Sequence, residues 1–267
     1  MFDNMDELSA FKFAPPALLE LEQELLNKAA VVFTGGHSLF EAKKNRHHNI
    51  HPYPSSIDKA HFAKARVHLS DPEDQAGIPH PRIGFYGVID ERLDANLITL
   101  VAKERPDWHF VMIGPVIKIN PETLPRSSNI HYLGGKSYEE LPSYLGGWDI
   151  AMIPFSLNES TRFISPTKTP EYLAAGKPVI SSSIQDVINP YGKNNLVHIA
   201  DTPEQFIQAA ENELNLEDKR QWLANVDEFL VDNSWDSTWQ SMMQHIEDKL
   251  DVKPIDSPTK KKEQVYV

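Results

Sequence analysis

The stretch that decides the fold is Phe163–Ser183, which reads FISPTKTPEYLAAGKPVISSS. Ser165 followed by Pro166 is typical of a helix start, because serine caps free N–H groups and proline is tolerated at the first helical position. Gly176 suits the position after a helix end, and the apolar, β-branched run KPVIS that follows predicts a buried strand. The stretch therefore predicts a helix, a tight turn and a strand.

The predicted helix carries two charged residues on one face, Lys168 and Glu171, three positions apart. Both are expected to face outward near the helix N-terminus, where free N–H groups and the helix dipole favour anions. A diphosphate with a neighbouring ribose would fit this pair. An ordinary amphipathic helix with a weak surface ion pair fits the same spacing, and these residues alone leave both readings open.

Strand and helix patterns alternate on both sides of this stretch, over residues 81–215. Apolar runs such as RIGFYGVI, WHFVMIG, DIAMIPF and LVHIA alternate with helical segments. The pattern predicts an α/β fold with a Rossmann-like, mostly parallel sheet of six strands and helices on both faces. Ligands of such sheets bind at the carboxyl ends of the strands. No GxGxxG or Walker-type loop appears, which argues against a dinucleotide or P-loop site.

The flanking regions carry weaker patterns. Residues 1–57 predict helix, strand, helix and strand, with too few strands to close a parallel sheet of their own. Residues 58–80 read as a linker, 216–250 as helices and 251–267 as a disordered tail or a linker. The last helix carries an apolar stripe that is usually core, made of Trp235, Trp239, Met242, Met243 and Ile246.

Composition excludes several classes of protein. The chain has 267 residues and a formal net charge of −12, which disfavours a nucleic-acid binder. It contains no cysteine, which excludes disulfides and thiolate metal sites and fits a cytoplasmic protein. Its sequence has no apolar run of about 18 residues and no signal peptide at MFDNMDELSAF. The cluster of His37, His47, His48 and His51 favours a solvated basic helix end over a zinc site, so we predict neither metal nor cofactor.

The string SPTKTPEYLAAGKPV resembles the nucleotide-sugar-binding helix of GT-B glycosyltransferases, in the retaining, group 1 or family 4-like branch. The resemblance implies two Rossmann-like domains, of which residues 81–215 are the donor-binding one. It also implies that Glu171 holds the ribose hydroxyls, and that Lys168 faces the diphosphate together with Ser165, Pro166 and Thr167.

The same resemblance implies further donor contacts. Phe163 stands where many relatives carry a second glutamate near the transferred sugar. The neighbouring candidates for that contact are Asn158, Glu159, Thr161 and Arg162. In GVIDERLD, Val88 stands at the usual arginine position, and Arg92 is the candidate substitute at the diphosphate. In HYLGGK, backbone groups around Gly135 and Lys136 would face the nucleobase. No catalytic residue is assigned.

The segment VVFTGGHSLFEAKK is similar to the family segment before the interdomain crossover. We therefore expect residues 1–57 to be the remnant of a truncated N-terminal domain. The predicted function is a glycosyltransferase, or its donor half, which transfers sugar from a nucleotide-diphosphate sugar to a sugar or lipid-linked acceptor. The alternatives are a non-catalytic donor-binding or partner-subunit module and, ranked lower, a sugar-nucleotide epimerase. We expect the isolated chain to bind donor, to transfer no sugar at a useful rate, and to self-associate or need a partner subunit.

Overall fold

A computed structural model of the protein describes residues 1–67 and 70–250 and contains two parallel sheets. The smaller sheet lies in residues 1–57, called here the N-terminal lobe. The larger sheet lies in residues 58–250, called here the large lobe. Each sheet has its own apolar core, a small one around Leu26 and a large one on the six-stranded sheet.

The N-terminal lobe contains a three-stranded sheet. Its strands are β1 (Phe2–Asn4), β2 (Val32–Thr34) and β3 (Ile50–Pro52), in the order β1-β2-β3, with helices α1 (Leu18–Lys28) and α2 (His37–Lys43) between them. The prediction of only two strands here was wrong, because β1 pairs with β2 along its whole length. The segment Phe-Asp-Asn has a single apolar residue, so no apolar run marks it as a strand.

The large lobe is built on the predicted six-stranded sheet. Its strands are β4 (Arg82–Tyr86), β5 (His109–Ile113), β6 (Ile130–Gly134), β7 (Ile150–Ile153), β8 (Val179–Ser181) and β9 (His198–Ile199). All neighbours are parallel, in the order β6-β5-β4-β7-β8-β9, which confirms the prediction. Strand order reverses between β4 and β7, and ligands of such sheets bind in the crevice at that point.

Helices cover this sheet. They are α3 (Lys59–Ala63), α4 (Glu73–Ala76), α5 (Ala95–Glu104), α6 (Leu141–Gly146), α7 (Lys168–Ala174), α8 (Gln185–Val187), α9 (Pro203–Leu214), α10 (Arg220–Phe229) and α11 (Trp235–Leu250). Helices α9 and α11 each begin after a hydroxyl cap. The Thr202 hydroxyl accepts the Gln205 N–H at 3.3 Å, and the Ser234 hydroxyl accepts the Ser237 N–H at 3.1 Å.

Helix α7 starts later than the sequence predicted. Its first residue is Lys168, and no side chain caps it. The prediction of Ser165 as the cap was therefore wrong, because the Pro166 carbonyl instead accepts the Thr169 N–H at 3.2 Å in a separate turn. The predicted end is confirmed, since Gly176 has φ +72 and its N–H bonds to the carbonyl of Leu173.

Residues 58–80, read as a linker, contain two short helices instead. Helix α3 is capped by Asp58, whose carboxylate accepts the His61 N–H at 2.9 Å, and its Phe62 is fully buried. Arg66 donates to the Ala174 carbonyl at 2.6 Å at the end of α7. The Asp58 cap and the buried contacts fix this segment within the large lobe, although its polar sequence has no regular spacing of apolar residues.

Helix α11 returns to the N-terminal lobe. The hydroxyls of Tyr53 and Ser241 lie 2.7 Å apart, and the rings of His51 and His245 stack with centroids 3.7 Å apart. The stripe expected in a core is largely uncovered at its start, where Trp235 is 54% and Trp239 60% exposed. Residues 251–267, expected as a disordered tail, lie outside the described residues. Within the part that is described, no helix has the length and apolar character to cross a bilayer.

Candidate functional site

Three elements meet at the crevice between β4 and β7: the carboxyl ends of these two strands and the start of α7. Gly87 directly follows β4 and has φ +138, a conformation that favours glycine. A Cβ at position 87 would lie 2.3 Å from Cε and 2.8 Å from Nζ of Lys168. The absence of a side chain at Gly87 therefore lets Lys168 pass over the end of the central strand.

Lys168 is partly buried and its ammonium lies beside two rings. Its Nζ is 5.7 Å from the ring centroid of Phe85 and 5.8 Å from that of Phe155. Burial lowers the pKa of Lys168, and the charge of Glu171 partly restores it. The expectation that Lys168 faces outward was therefore wrong, because its side chain is partly buried at the strand ends with its ammonium beside these rings. A cation held in this way favours an anionic ligand.

Glu171 lies one turn further along the same face and is also partly buried. Its Oε2 accepts a hydrogen bond from the hydroxyl of Tyr86. Burial raises the pKa of Glu171, while the Tyr86 hydroxyl and the Lys168 ammonium lower it. Tyr86 occupies only Oε2, so the other carboxylate oxygen of Glu171 can accept hydrogen bonds from two neighbouring hydroxyls of a ligand.

Tyr86 was missed by the sequence reasoning. It is the last residue of β4 and is 7% exposed. Its N–H donates to the hydroxyl of Tyr172 at 3.0 Å, and the two rings pack edge to face with centroids 4.9 Å apart. The signal in the sequence was its position, a tyrosine at the carboxyl end of the central strand, just before Gly87.

Arg92 also reaches this crevice, but it has a partner of its own. Its guanidinium forms hydrogen bonds of 2.8 to 3.1 Å with both carboxylate oxygens of Asp90, which is 3% exposed. It also lies 5.8 Å from the centroid of the Phe155 ring that contacts Lys168. The structure therefore brings Arg92 near Lys168, with much of its charge compensated by Asp90.

The side chain of Lys136 is held in an ion pair with α4. Its Nζ lies 2.5 Å from a carboxylate oxygen of Asp74 in α4, and this bond raises the pKa of Lys136. Tyr144 donates a hydrogen bond of 2.7 Å to the same carboxylate. Gly135 is exposed, so only backbone groups around Gly135 and Lys136 remain available to a ligand.

The loop before α7 forms a separate cavity of about 350 Å³, lined in part by Asn158, Glu159, Thr161 and Arg162. Thr161 is 2% exposed and its hydroxyl donates to the Ser156 carbonyl at 2.5 Å, so this hydroxyl holds the loop in place. Arg162 lies 3.6 Å from Glu159 in an exposed ion pair.

The residues just before α7 form a turn of their own, and their contact with the diphosphate stays a prediction. Helix α7 has seven residues, and the Thr169 N–H is used by the Pro166 carbonyl. Thr167 is exposed. Ser165 lines a cavity of about 280 Å³ between the two lobes, together with Asp186. Within the described residues, no group of three or more histidine or acidic side chains is arranged to hold a metal ion.

Comparison with known proteins identifies relatives of this chain. The family model described as Glycosyl transferases group 1 matches residues 81–215, half of the chain. A protein of Bacillus subtilis (strain 168), named as a teichuronic acid biosynthesis glycosyltransferase, TuaH, is 31% identical over 138 residues, which cover 49% of this chain and 34% of TuaH. The chain therefore spans about a third of that relative.

Solved structures match almost the whole chain. Sucrose-phosphate synthase from Thermosynechococcus elongatus has a TM-score of 0.66 and 17% identity, over 90% of this chain and 63% of its own. HepE from Anabaena, solved in complex with UDP, has a TM-score of 0.72 and 11% identity, over 92% of this chain and 71% of its own. At these identities the match shows the fold, which is that of GT-B glycosyltransferases.

Proposed function

The chain belongs to the family Glycosyl transferases group 1, and from this premise we propose that it binds a nucleotide-diphosphate sugar and donates the sugar to an acceptor. The observation that carries the proposal is the pairing of Lys168 and Glu171 on one face of α7 at the switch point of the sheet. A cation for the diphosphate and a carboxylate for the ribose thus stand side by side.

Each residue has a chemical role in this proposal. Glu171, oriented by Tyr86, accepts hydrogen bonds from the ribose hydroxyls. Lys168 binds the diphosphate, which develops negative charge as the glycosidic bond breaks, and stabilises it electrostatically. Arg92 adds a weaker charge because Asp90 compensates it. Backbone groups around Gly135 face the nucleobase.

The neighbouring structures suggest which nucleotide to test first. HepE was solved with UDP, with UDP and glucose, and with UDP-glucose, and the trehalose-phosphate synthase from Burkholderia vietnamiensis is described as UDP-forming. We therefore propose a uridine diphosphate sugar as the donor. The acceptor is proposed to be a sugar or a lipid-linked sugar, and a location in the cytoplasm stays a prediction.

A non-catalytic donor-binding module remains the second candidate, and one observation favours it. Phe163 stands where many relatives carry a second glutamate. Its ring packs 5.0 Å from the Arg162 guanidinium and lines a cavity of about 490 Å³ between the lobes. This arrangement supplies no carboxylate at that position for the transferred sugar.

One experiment separates the two candidates. The 267-residue chain is titrated calorimetrically with UDP, ADP and GDP, and UDP release from UDP-sugars is then assayed with sugar and lipid-linked acceptors. Binding of UDP with turnover supports the transferase. Binding without turnover supports the donor-binding module, and no binding of any nucleoside diphosphate contradicts both.

A further inference from the structure

Helix α11 docks on the N-terminal lobe through a row of side chains. The row includes three residue pairs: Ser56 with Thr238, Tyr53 with Ser241, and His51 with His245. The helix residues of these pairs are three and four positions apart, which places them on one side of α11. Two of the pairs join hydroxyl groups, whereas histidine changes its charge between pH 5 and pH 8. The histidine pair is therefore the part of the row that responds to mild acid.

Helix α11 buries little of its own surface, so this row of contacts matters for its position. None of its described residues, Trp235–Leu250, is fully buried. Trp235 and Trp239 at its start are more than half exposed. A segment with few buried apolar contacts separates from the rest of a fold at a low free energy. A small change in the row can therefore shift the balance between docked and undocked α11.

The two rings of the histidine pair are close and nearly parallel. Their centroids lie 3.7 Å apart and their planes are inclined by 19°. The ring of Phe33, which is fully buried, lies 6.4 Å from that of His51 and 6.3 Å from that of His245. Burial lowers the pKa of His51, and charge on His245 lowers it further. Two neutral rings can stack in this way, whereas two imidazolium rings repel each other at the same distance.

One hydrogen bond indicates where His51 takes up a proton. Its Nε2 lies 2.9 Å from Oδ1 of Asn49, an amide oxygen that only accepts hydrogen bonds. In the neutral ring Nε2 therefore carries the hydrogen, and a further proton binds at Nδ1. Within the described residues, the histidines that lie in ion pairs with carboxylates are His80 and His198. A charged ring in the stack thus has no carboxylate partner among these residues.

Other charged groups around the stack offset this repulsion only weakly. Asp3 of β1 is in register with Phe33, which is in register with His51, so Asp3 lies two strands away, at about 10 Å. Exposed charges separated by more than the Debye length, about 8 Å at physiological salt, are largely screened. The other titratable groups on the surrounding segments are His47, His48, Tyr53, Glu247, Asp248 and Lys249. The three on α11 are exposed and carry charges of both signs.

We propose that the stacked pair of His51 and His245 makes the docking of α11 dependent on pH, so that mild acidification releases the helix from the N-terminal lobe. In the undocked form the two rings are free and have ordinary pKa values. This form therefore binds more protons than the docked form as the pH falls, and acidification favours it. The pair lies outside the candidate donor site, so the proposed function and this pH dependence can fail independently.

The test measures the distance between α11 and the N-terminal lobe in the full chain. The chain has no cysteine, so Asn27→Cys on α1 and Gln240→Cys on α11, both at exposed positions, give two unique sites for spin labels. Pulsed electron paramagnetic resonance is expected to show one distance at about pH 7.5 and an additional, longer distance at about pH 5.5. These pH values lie on either side of the ordinary histidine pKa.

His245→Phe keeps an aromatic ring in the stack and removes one of its two titrating groups. We expect this variant to lose most of the long-distance population at about pH 5.5. The matched control is His48→Phe, the same substitution at an exposed histidine of the N-terminal lobe, and it is expected to respond to pH as the wild type does. A label pair within the large lobe, Lys103→Cys on α5 with Gln208→Cys on α9, is expected to keep one distance at both pH values. This pair separates release of α11 from global unfolding.

Several results would overturn the proposal. The first is a single distance between α11 and the N-terminal lobe at both pH values. The second is a long-distance population as large in His245→Phe as in the wild type, and the third is a parallel change within the large lobe. If His245→Phe is undocked even at about pH 7.5, nuclear magnetic resonance of the wild type decides. A His51 ring that titrates with the same midpoint as the distance change supports the proposal, and a different midpoint overturns it.

Discussion

The hydroxyl of Tyr86 donates a hydrogen bond to Oε2 of Glu171 and so ties the central strand to the helix that carries the candidate donor site. The same tyrosine donates its N–H to the hydroxyl of Tyr172, one residue further along α7. Two adjacent residues of the helix therefore bond to one residue of β4. This arrangement sets the orientation of Glu171, which depends on packing between distant parts of the chain.

Tyr86→Phe keeps the ring and removes only the hydroxyl. Since a hydrogen bond to a charged group contributes about 1.5–3 kcal/mol, we expect UDP affinity to fall about ten-fold or more. The hydrogen bond from Tyr86 lowers the pKa of Glu171, so removing the hydroxyl raises that pKa. Glu171 of the variant therefore takes up its proton at a higher pH than in the wild type. On acidification, UDP binding by the variant is expected to weaken at that higher pH. Calorimetric titration over a pH series measures both effects.

The matched control for this substitution is Tyr144→Phe, which removes a hydroxyl that bonds to Asp74 at α4. It is expected to leave the affinity for UDP unchanged. Equal effects of the two substitutions would mean that the Tyr86 hydroxyl contributes only to folding.

Lys168→Met removes a cation and keeps an apolar side chain of similar length beside Phe85 and Phe155. Burial lowers the pKa of Lys168, which means that the folded protein holds the charge at a cost. We therefore expect the free energy of unfolding to stay the same or rise, while UDP affinity falls about ten-fold or more. Uridine, which has no diphosphate, is expected to lose much less. Denaturant unfolding and calorimetry measure the two quantities.

Lys177→Met is the contrasting substitution on the same segment. Its Nζ donates to the carbonyls of Gly146 at 3.0 Å and Trp148 at 2.8 Å, although burial lowers the pKa of Lys177 to about 8. Removing the ammonium leaves two carbonyls without their donor, so we expect stability to fall by about 1–3 kcal/mol and UDP affinity to stay unchanged. A fall in UDP affinity equal to that of Lys168→Met would contradict the assignment of Lys168.

Stability is expected to decrease on mild acidification because three histidines have lowered pKa values. Burial lowers the pKa of His51, His109 and His131 below the ordinary value of 6.5. His109 Nδ1 and His131 Nε2 lie 3.0 Å apart, and charge on His109 further lowers the pKa of His131, while Arg82 further lowers the pKa of His109. Between the folded and unfolded pKa values the unfolded chain binds more protons, so the free energy of unfolding falls as the pH falls.

Denaturant unfolding at about pH 7.5 and about pH 5.5 tests this prediction, because these two pH values lie on either side of the ordinary histidine pKa. His131→Gln is expected to make the decrease smaller, since it removes one titrating ring and the repulsion of His109. The exposed His37, changed to glutamine, serves as the control with an unchanged decrease. A wild type that is equally stable at both pH values would refute the prediction.

The exposed tryptophans of α11 predict self-association. Trp235 and Trp239 are more than half exposed, and contiguous apolar surface of this kind is unusual on a monomer. We expect the apparent mass in light scattering to rise with protein concentration. Replacing both tryptophans by glutamine is expected to lower it toward the monomer value, and a wild type that is monomeric at every concentration would exclude this prediction.

The sheet of the large lobe could be predicted because its signals are local. The β4 sequence RIGFY is buried at every position, which gives a continuous run bounded by turns. Gly176 ends α7 with positive φ, a conformation that glycine adopts without strain. Signals of this kind depend on residues adjacent in sequence, and the structure confirms them.

Other features depend on contacts between distant residues and could not be predicted in this way. The environment of Lys168 is set by Gly87 and by the rings of Phe85 and Phe155, which come from two segments that are distant from α7 in the sequence. Strand β1 has three residues and is a strand only because β2 lies beside it. The start of α7 moved because a backbone carbonyl, rather than the Ser165 side chain, accepts the free N–H.

The last prediction concerns the contact between the two lobes at Gly36. Its φ of −172 is open to any residue, so only space limits substitution here. An alanine Cβ would lie 2.1 Å from Oδ2 of Asp186 and 2.8 Å from Cβ of Ser165. Asp186 is 4% exposed, and its Oδ1 accepts the Ser38 N–H at 2.9 Å, so it has little room to move without breaking that bond.

We therefore expect Gly36→Ala to lower the free energy of unfolding by about 1–3 kcal/mol, the usual effect of overpacking a close contact. The matched control is Gly77→Ala, where φ is −84 and, apart from its chain neighbours, no atom of the described residues lies within 4 Å of the new Cβ. Because alanine restricts the unfolded chain more than glycine does, this control is expected to be neutral or stabilising by about 0.4–1 kcal/mol. Denaturant unfolding measures both changes. If the two substitutions change the free energy of unfolding in opposite directions, the interlobe contact is the cause. Changes in the same direction would assign the effect to the loss of glycine alone.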